Sequence, residues 1–379
     1  RQPELEYVFR HSLTQEAAYN TILLRRRREF HRRVGEAIES LFSDRLEEFY
    51  PVLAHHFHRA GDPRALRYHI AAGDAAFSLF AIAEALNHYS HALEIAETDS
   101  ESSAEQLQHI YLRQGRCQEL QNDYRAAQAT YDELRAAAQQ LDDQEMGLTA
   151  LLARATATIV PSRAQDTTAG GQLLDEAIQM ARALGDEATE ARAQWNTLIL
   201  HLYSGHARLG IPAGERAVML ARKLGLRELL AHANQDLGLV YMGSGRMADA
   251  RRALAEAETL WREMGNLPML AENRANLTLD RVLTARFSEA VDLAHESRQI
   301  SEQIDNRWGQ VNSRVFIPMA YLAQGDFDTT SLESTEGIRL GDEVGHPAYI
   351  LNRVWQSQVY AAVGDDQRAL ALAVEANKK

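Results

Sequence analysis

The strongest constraint on this chain is a punctuation that recurs every forty residues. Leu184-Gly185-Asp186, Leu224-Gly225-Leu226, Met264-Gly265-Asn266, Ile304-Asp305-Asn306 and Val344-Gly345-His346 follow one another at that interval without drift. Each ends a stretch of helical apolar spacing. Gly there reads as a helix C-cap, because glycine enters the left-handed region without a Cβ penalty. A second series falls midway, at Gly205, Gly245, Ala285, Gly325 and Gly364, and marks tight turns between helices. Together the two series predict a unit of helix A, turn, helix B, turn. One such unit cannot bury its apolar face alone, so the units must stack.

The unit 227–264 shows the packing code most clearly. Leu237, Gly238 and Tyr241 fall on helix A, and Ala250, Leu254 and Ala257 on helix B. Gly238 and Ala250 are small where the two helices cross closely, and Tyr241 and Leu254 fill the gaps beside them. Spacings of three and four keep the set on one face. This L-G-x-x-Y, then A-x-x-x-L-x-x-A pattern resembles the consensus of the tetratricopeptide repeat (TPR). Weaker copies are Tyr111, Gly115, Ala127 and Tyr131 in 104–142, and Leu277, Ala290 and Ala294 in 267–304. In 307–344 Ile317 and Tyr321 remain, with Pro318 expected to kink helix A. Tyr360, Ala369, Ala373 and Ala376 match in the last unit, and 144–184 diverges, with a polar loop expected from about Pro161 to Gly171. The expected fold is all-α, a TPR-like α–α superhelix or solenoid of about eight helical hairpins, with the A helices lining a concave side. It is expected to occupy 46–379, leaving 1–45 as the end of a winged-helix or linker region with its connecting helix. A period longer than the usual TPR length of about 34 residues implies helices longer by a fraction of a turn.

Composition agrees. Ala, Leu, Glu, Gln and Arg are abundant and Pro is scarce at 8 of 379 residues, so little opposes helix formation. The single cysteine, Cys117, rules out an internal disulfide framework and a multi-cysteine metal site. No apolar run approaches the length of about 20 residues that spans a bilayer, and a reducing, cytoplasmic setting fits. Residues 1–70 hold 12 Arg against 10 acidic residues, whereas the remainder holds 28 basic against 43 acidic. That balance disfavours a broad nucleic-acid footprint, which needs clustered positive charge.

The first hundred residues have a different texture. Phe9, His11, Leu13, Glu16 and Tyr19 form an F-x-H-x-L-x-x-E-x-x-Y pattern that runs into Arg25–Arg28, Arg32 and Arg33. Ala54-His55-His56-Phe57-His58-Arg59-Ala60-Gly61-Asp62 and Ala65-Leu66-Arg67-Tyr68 follow. This string resembles the junction in bacterial signal-transduction ATPases with numerous domains (STAND ATPases), where an AAA-type nucleotide-binding domain and a winged helix precede a TPR array. The resemblance implies a sensor and docking arm of a larger ATPase, of the adenylate or guanylate cyclase-associated or transcriptional-regulator type. ATP and Mg²⁺ would then belong to an upstream domain, because no G-x-x-x-x-G-K-[ST] loop occurs here. The opening at Arg1 is read as a cut from a longer chain.

Candidate sites are few. His55, His56 and His58 are too scattered in helical direction for a zinc site without further ligands, and are read as surface and packing histidines. Cys117 has no nearby base and is read as inert. The Gly170-Gly171 pair, expected to open a helix, is read as plain loop. No hydrolase or metalloprotease motif appears, so no catalytic or metal residue is assigned and no cofactor is expected in this chain. Arg25, Arg26, Arg28 and Arg32 are candidates for contact with upstream ATPase or winged-helix domains. The alternative is an effector-binding arm of a transcriptional regulator that touches nucleic acid through 25–33. Groove-facing positions of the A helices give Arg192, Trp195, His232, Gln235, Glu272, Asn312 and Met319 as candidates for binding a protein or peptide; Trp and Arg are frequent interface anchors. The paired Lys and Asn that clamp a peptide carboxylate in chaperone-binding TPRs are absent.

Overall fold

The computed structural model describes residues 12–98, 103–344 and 349–377. Tyr7–His11 of the N-terminal pattern and the Gly345-His346 punctuation lie outside the described residues. No β-strand occurs among the described residues, and no helix is long and apolar enough to cross a membrane.

The chain divides into two compact units, 1–176 and 177–379. The first holds α1 (Ser12–Thr21), α2 (Leu24–Leu41), α3 (Tyr50–Ala60), α4 (Arg64–Ser78), α5 (Ile82–Ala96), α6 (Ala104–Leu120), α7 (Tyr124–Gln140) and α8 (Gln144–Ile159). Helix α9 (Thr167–Leu184) crosses the division. The second holds α10 (Glu187–Tyr203), α11 (Ile211–Leu224), α12 (Arg227–Gly243), α13 (Met247–Glu263), α14 (Leu267–Leu283), α15 (Phe287–Gln303), α16 (Arg307–Asn312), α17 (Ile317–Ala323), α18 (Phe327–Val344), α19 (Tyr349–Ala362) and α20 (Asp366–Asn377). Short 3₁₀ turns at Leu46–Phe49 and Ala207–Gly210 lead into α3 and α11.

Local chemistry explains where the helices stop and start. Gly185, Gly225, Gly265 and Asp305 all have positive φ, as do Gly205, Gly245, Ala285, Gly325 and Gly364 of the second series. In most turns of the first kind the next residue caps the following helix. Asp186, Asn266 and Asn306 accept hydrogen bonds from the first-turn backbone N–H groups of α10, α14 and α16. Asn122-Asp123 and Asp142-Asp143 repeat this pairing ahead of α7 and α8. Such compact links force consecutive helices to lie antiparallel.

Close approach inside the hairpins is set by glycine against a large side chain. A Cβ on Gly35 would fall 2.7 Å from the ring of Phe57, and one on Gly73 2.7 Å from the ring of Tyr89. Gly238 stands in the same relation to Leu254, at 2.7 Å, and Gly115 lies under Tyr131. The tyrosines bury their rings and still satisfy their hydroxyls: Tyr89 donates to Asp74 at 2.7 Å and Tyr131 to Glu119 at 2.9 Å. Ala127, Ala250, Leu254 and Ala257 are fully buried, as the repeat pattern requires. The result is an all-α, TPR-like helical-repeat fold. In the second unit successive A helices (α10, α12, α14, then α16 and α17) touch one another more closely than the B helices do, so their outward side chains form one face.

Three local expectations need correction. Pro318 does not merely kink helix A: the helix breaks over 313–316, and Pro318 sits in the first turn of α17, where its missing N–H costs nothing. The Trp355 indole donates to the carbonyl of Val315 at 2.8 Å and the Arg314 guanidinium to that of Gln310 at 2.8 Å, so the break is tied down by side chains. The polar loop is shorter than expected. Asp166 caps α9 through the N–H groups of Thr168 and Ala169, and Gly170 lies inside the helix against Ile159. The Gly170-Gly171 pair, read as plain loop, lies inside α9, because Asp166 starts the helix four residues earlier.

Two substitutions test this packing with opposite signs. Gly73→Ala should destabilise by roughly 1–3 kcal/mol through overpacking against Tyr89. Ala285→Gly should stabilise by roughly 0.5–1 kcal/mol, the αL penalty of about 1–2 kcal/mol less the added chain entropy of glycine. Urea denaturation midpoints of the three proteins measure both shifts.

Candidate functional site

The A-helix face of the second unit gathers polar side chains from three neighbouring helices. Trp195 on α10 donates its indole N–H to Asp236 Oδ2 on α12 at 2.8 Å. Gln235 on α12 donates to Glu272 Oε1 on α14 at 3.1 Å, while its own amide oxygen accepts the Trp261 indole N–H at 3.0 Å. That double engagement fixes which way the Gln235 amide points. The His232 ring lies between the two indoles, 5.2 Å from Trp195 and 4.7 Å from Trp261, centroid to centroid. Tyr203, 57% exposed, completes the edge.

Trp195, His232, Gln235 and Glu272 are thus brought together. The other groove candidates are not part of this set. Arg192 is solvent-exposed on α10, and Asn312 ends α16 beside the helix break. Met319 packs against the buried cluster of Val282, Ala290 and Ala320. Sequence reasoning missed Asp236, Tyr203 and Trp261. Asp236 follows Trp195 by one repeat plus one residue, an offset that places side chains on facing edges of adjacent A helices.

Charge compensation sets Asp236 and Glu272, both partly buried, apart from the more deeply buried carboxylates of this unit. Asp280 is fully buried but bonds Arg251 at 2.9 Å and also Arg281. Glu190, 3% exposed, is held by Arg182 at 2.9 Å and Arg216 at 3.1 Å. Asp236 and Glu272 have neutral donors only, with no cation in ion-pair contact among the described residues. Burial therefore pushes the Asp236 carboxyl up to about 7, with the nearby Glu272 adding to the shift and the Trp195 bond opposing it. Burial also raises Glu272, and it lowers His232, which stays neutral at physiological pH.

Elsewhere, Cys117 is fully buried and burial pushes its thiol up to about 11, which leaves it unreactive. Arg25, Arg26, Arg28 and Arg32 are all exposed on α2. His55, His56 and His58 lie on α3 within a larger group of histidines. Among the described residues no group of three or more His, Cys, Asp or Glu side chains is arranged to hold a metal.

No protein-family model matches the sequence, and no curated protein matches it. Solved structures do. A STAND protein with a tetratricopeptide repeat sensor from Pyrococcus horikoshii superposes over 97% of this chain with a TM-score of 0.58 at 12% identity. This chain spans 54% of that protein. The apo quorum sensor NprR from B. thuringiensis matches 93% of this chain and 97% of its own at a TM-score of 0.65 and 12% identity. The Rap conjugation regulator of plasmid pLS20, solved with the Phr* peptide, matches 77% and 76% at 0.57 and 14%. Fold and comparisons together define a TPR-like helical-repeat protein.

The carboxylate shift has a signed consequence. Native Asp236 holds a proton that the unfolded chain releases near pH 4, so stability falls as pH rises from about 4 to about 7 and stays low above. Asp236→Asn keeps an acceptor for Trp195 and removes the charge. Its gain in melting temperature should be largest above pH 7 and shrink toward pH 4. A gain independent of pH would contradict this electrostatic account.

Proposed function

We propose that this chain is the non-catalytic, regulatory TPR arm of a larger cytoplasmic signalling protein of STAND type, an ATPase or nucleotide cyclase. In this reading it captures a peptide or protein segment on the A-helix face of its second unit. One observation carries the binding assignment: two partly buried carboxylates, Asp236 and Glu272, share that face with Trp195, His232 and Tyr203 and have no cation of their own. Leaving such a pair uncompensated is costly unless a ligand supplies the charge. The chemistry that fits is a basic side chain or a free amino terminus seated between carboxylates and against aromatic faces. A peptide-bound neighbour and a neighbour described as a TPR sensor support a ligand-responsive arm of this kind.

The arm must also meet the rest of its protein. Residues 1–45 are proposed as the joint to an upstream winged helix and ATPase. On α2, Leu24, Phe30 and Val34 are exposed among Arg25, Arg26, Arg28 and Arg32. Apolar side chains interleaved with arginines suit a protein contact better than a phosphate backbone, which uses the cations alone.

A positional-scanning pentapeptide library presented to the full chain tests the binding assignment. Arg or Lys should be enriched at one position, and the Asp236→Asn, Glu272→Gln double variant should lose that enrichment with at least a tenfold drop in affinity. Selection for acidic or purely apolar peptides, unaffected by the double variant, would refute it.

A further inference from the structure

A second site lies in the first unit, independent of the peptide face. Helices α3, α4 and α5 border a solvent-open cavity of about 320 Å³ lined by His55, His58, Arg59, His69, His88 and His91. His69 and His88 are buried and face each other through Nδ1 atoms 3.1 Å apart, while His55, His58 and Arg59 are exposed. The rings of His58, His69 and His91 form a triangle, with centroids 5.1 to 5.3 Å apart. Among the described residues no carboxylate lines the cavity, and its one permanent charge is the Arg59 guanidinium. His69, only 4% exposed, leaves its Nε2 without a hydrogen-bond partner.

Each imidazole brings one N–H donor when neutral and two when protonated. Five of them beside a guanidinium make a donor-rich concavity, with the carboxylates of Glu84 and Glu94 outside its lining. Its volume is near the lower end for small-ligand pockets, and far larger than a bare metal ion needs. We propose that this cavity binds an oxyanion-bearing small molecule, with Arg59 and the ring N–H groups of His58, His69 and His91 as donors.

The electrostatics support a coupling to protons. Burial, then repulsion from neighbouring His88, His58, His91 and His55, pushes His69 down to about 3. Burial likewise lowers His55, His58 and His88. The charged groups facing the cluster are Arg59 on α3, and Glu84 and Glu94 on α5. Arg59 lowers His55 and His58, Glu84 raises His88, and Glu94 raises His58. Glu94 also meets His91 Nδ1 at 3.3 Å from an exposed position. A bound anion favours the protonated rings, so the liganded protein takes up protons that the empty one refuses. Affinity must then rise as pH falls, the reverse of what metal binding to neutral imidazoles shows.

Isothermal titration of the full chain with sulfate, which does not titrate in this range, tests the proposal at pH 6.0 and 7.5. Inorganic phosphate and citrate serve as further probes, and side-chain NMR follows the histidine rings. Sulfate should bind several-fold tighter at pH 6.0, with shifts centred on the cavity rings. Arg59→Gln and His58→Gln, both at exposed positions, should each weaken binding at least tenfold. His31→Gln, outside the cavity, should leave it unchanged. Phosphate binding without citrate binding would assign a phosphate ligand, and the converse a carboxylate. Absence of binding by all three probes at millimolar concentration would overturn the proposal. So would Zn²⁺ binding that tightens with rising pH in a protein that ignores the anions.

Discussion

Everything in this molecule depends on how closely each A helix lies on its B helix. Where Gly73 faces Tyr89 and Gly115 faces Tyr131, an aromatic ring occupies the space a Cβ would claim, and the helix backbones approach to ring thickness. The ring is apolar enough to bury and its hydroxyl is polar enough to need an acceptor. Asp74 and Glu119 supply one from the same A helix. These two hairpins are thereby fixed in depth and rotation by one glycine, one large side chain and one carboxylate. Gly238 and Leu254 achieve the same approach without the polar tip, and Tyr241 compensates by reaching back to Glu215 at 2.8 Å.

Rigid hairpins stacked through their A helices have an inevitable by-product. Side chains that point away from the B helices fall on a shared face, at offsets near the repeat length, and can bond from one hairpin to the next. Trp195 with Asp236 and Gln235 with Glu272 are such bonds. They tie one hairpin to the next, yet they leave two carboxylates on the A-helix face without an ion pair. The contrast with Asp280 and Glu190, each gripped by two arginines, shows that the same unit neutralises carboxylates where structure alone is at stake. The two carboxylates of this face are thus an electrostatic deficit that the scaffold tolerates.

The repeat was legible because its signals are local. A helix-ending residue suited to positive φ recurs every forty positions and is written in the chain itself. So was the small-against-large code of Gly238, Ala250, Tyr241 and Leu254. Four face residues were legible for the same reason: the period relates Trp195 to Gln235 and His232 to Glu272, and helical spacing of three sets the two registers on one face. Asp236 was not. Its significance lies in having no ion-pair partner among the described residues, and a missing partner is a property of three dimensions. The break at 313–316 was only half legible: Pro318 announced a disturbance, but the anchors that make a full break affordable, Arg314 and Trp355, lie outside the proline's own turn. The histidine cavity was hidden because His55 and His58 join His69, His88 and His91 only after three helices pack.

Amide hydrogen exchange on the full chain, with and without a saturating basic peptide, tests the central claim most directly. The account predicts slowed exchange confined to the A helices 187–203, 227–243 and 267–283, with their intervening B helices unchanged. Protection falling on the B helices 211–224 and 247–263, or only on the first unit, would contradict a ligand face built by the stacked A helices.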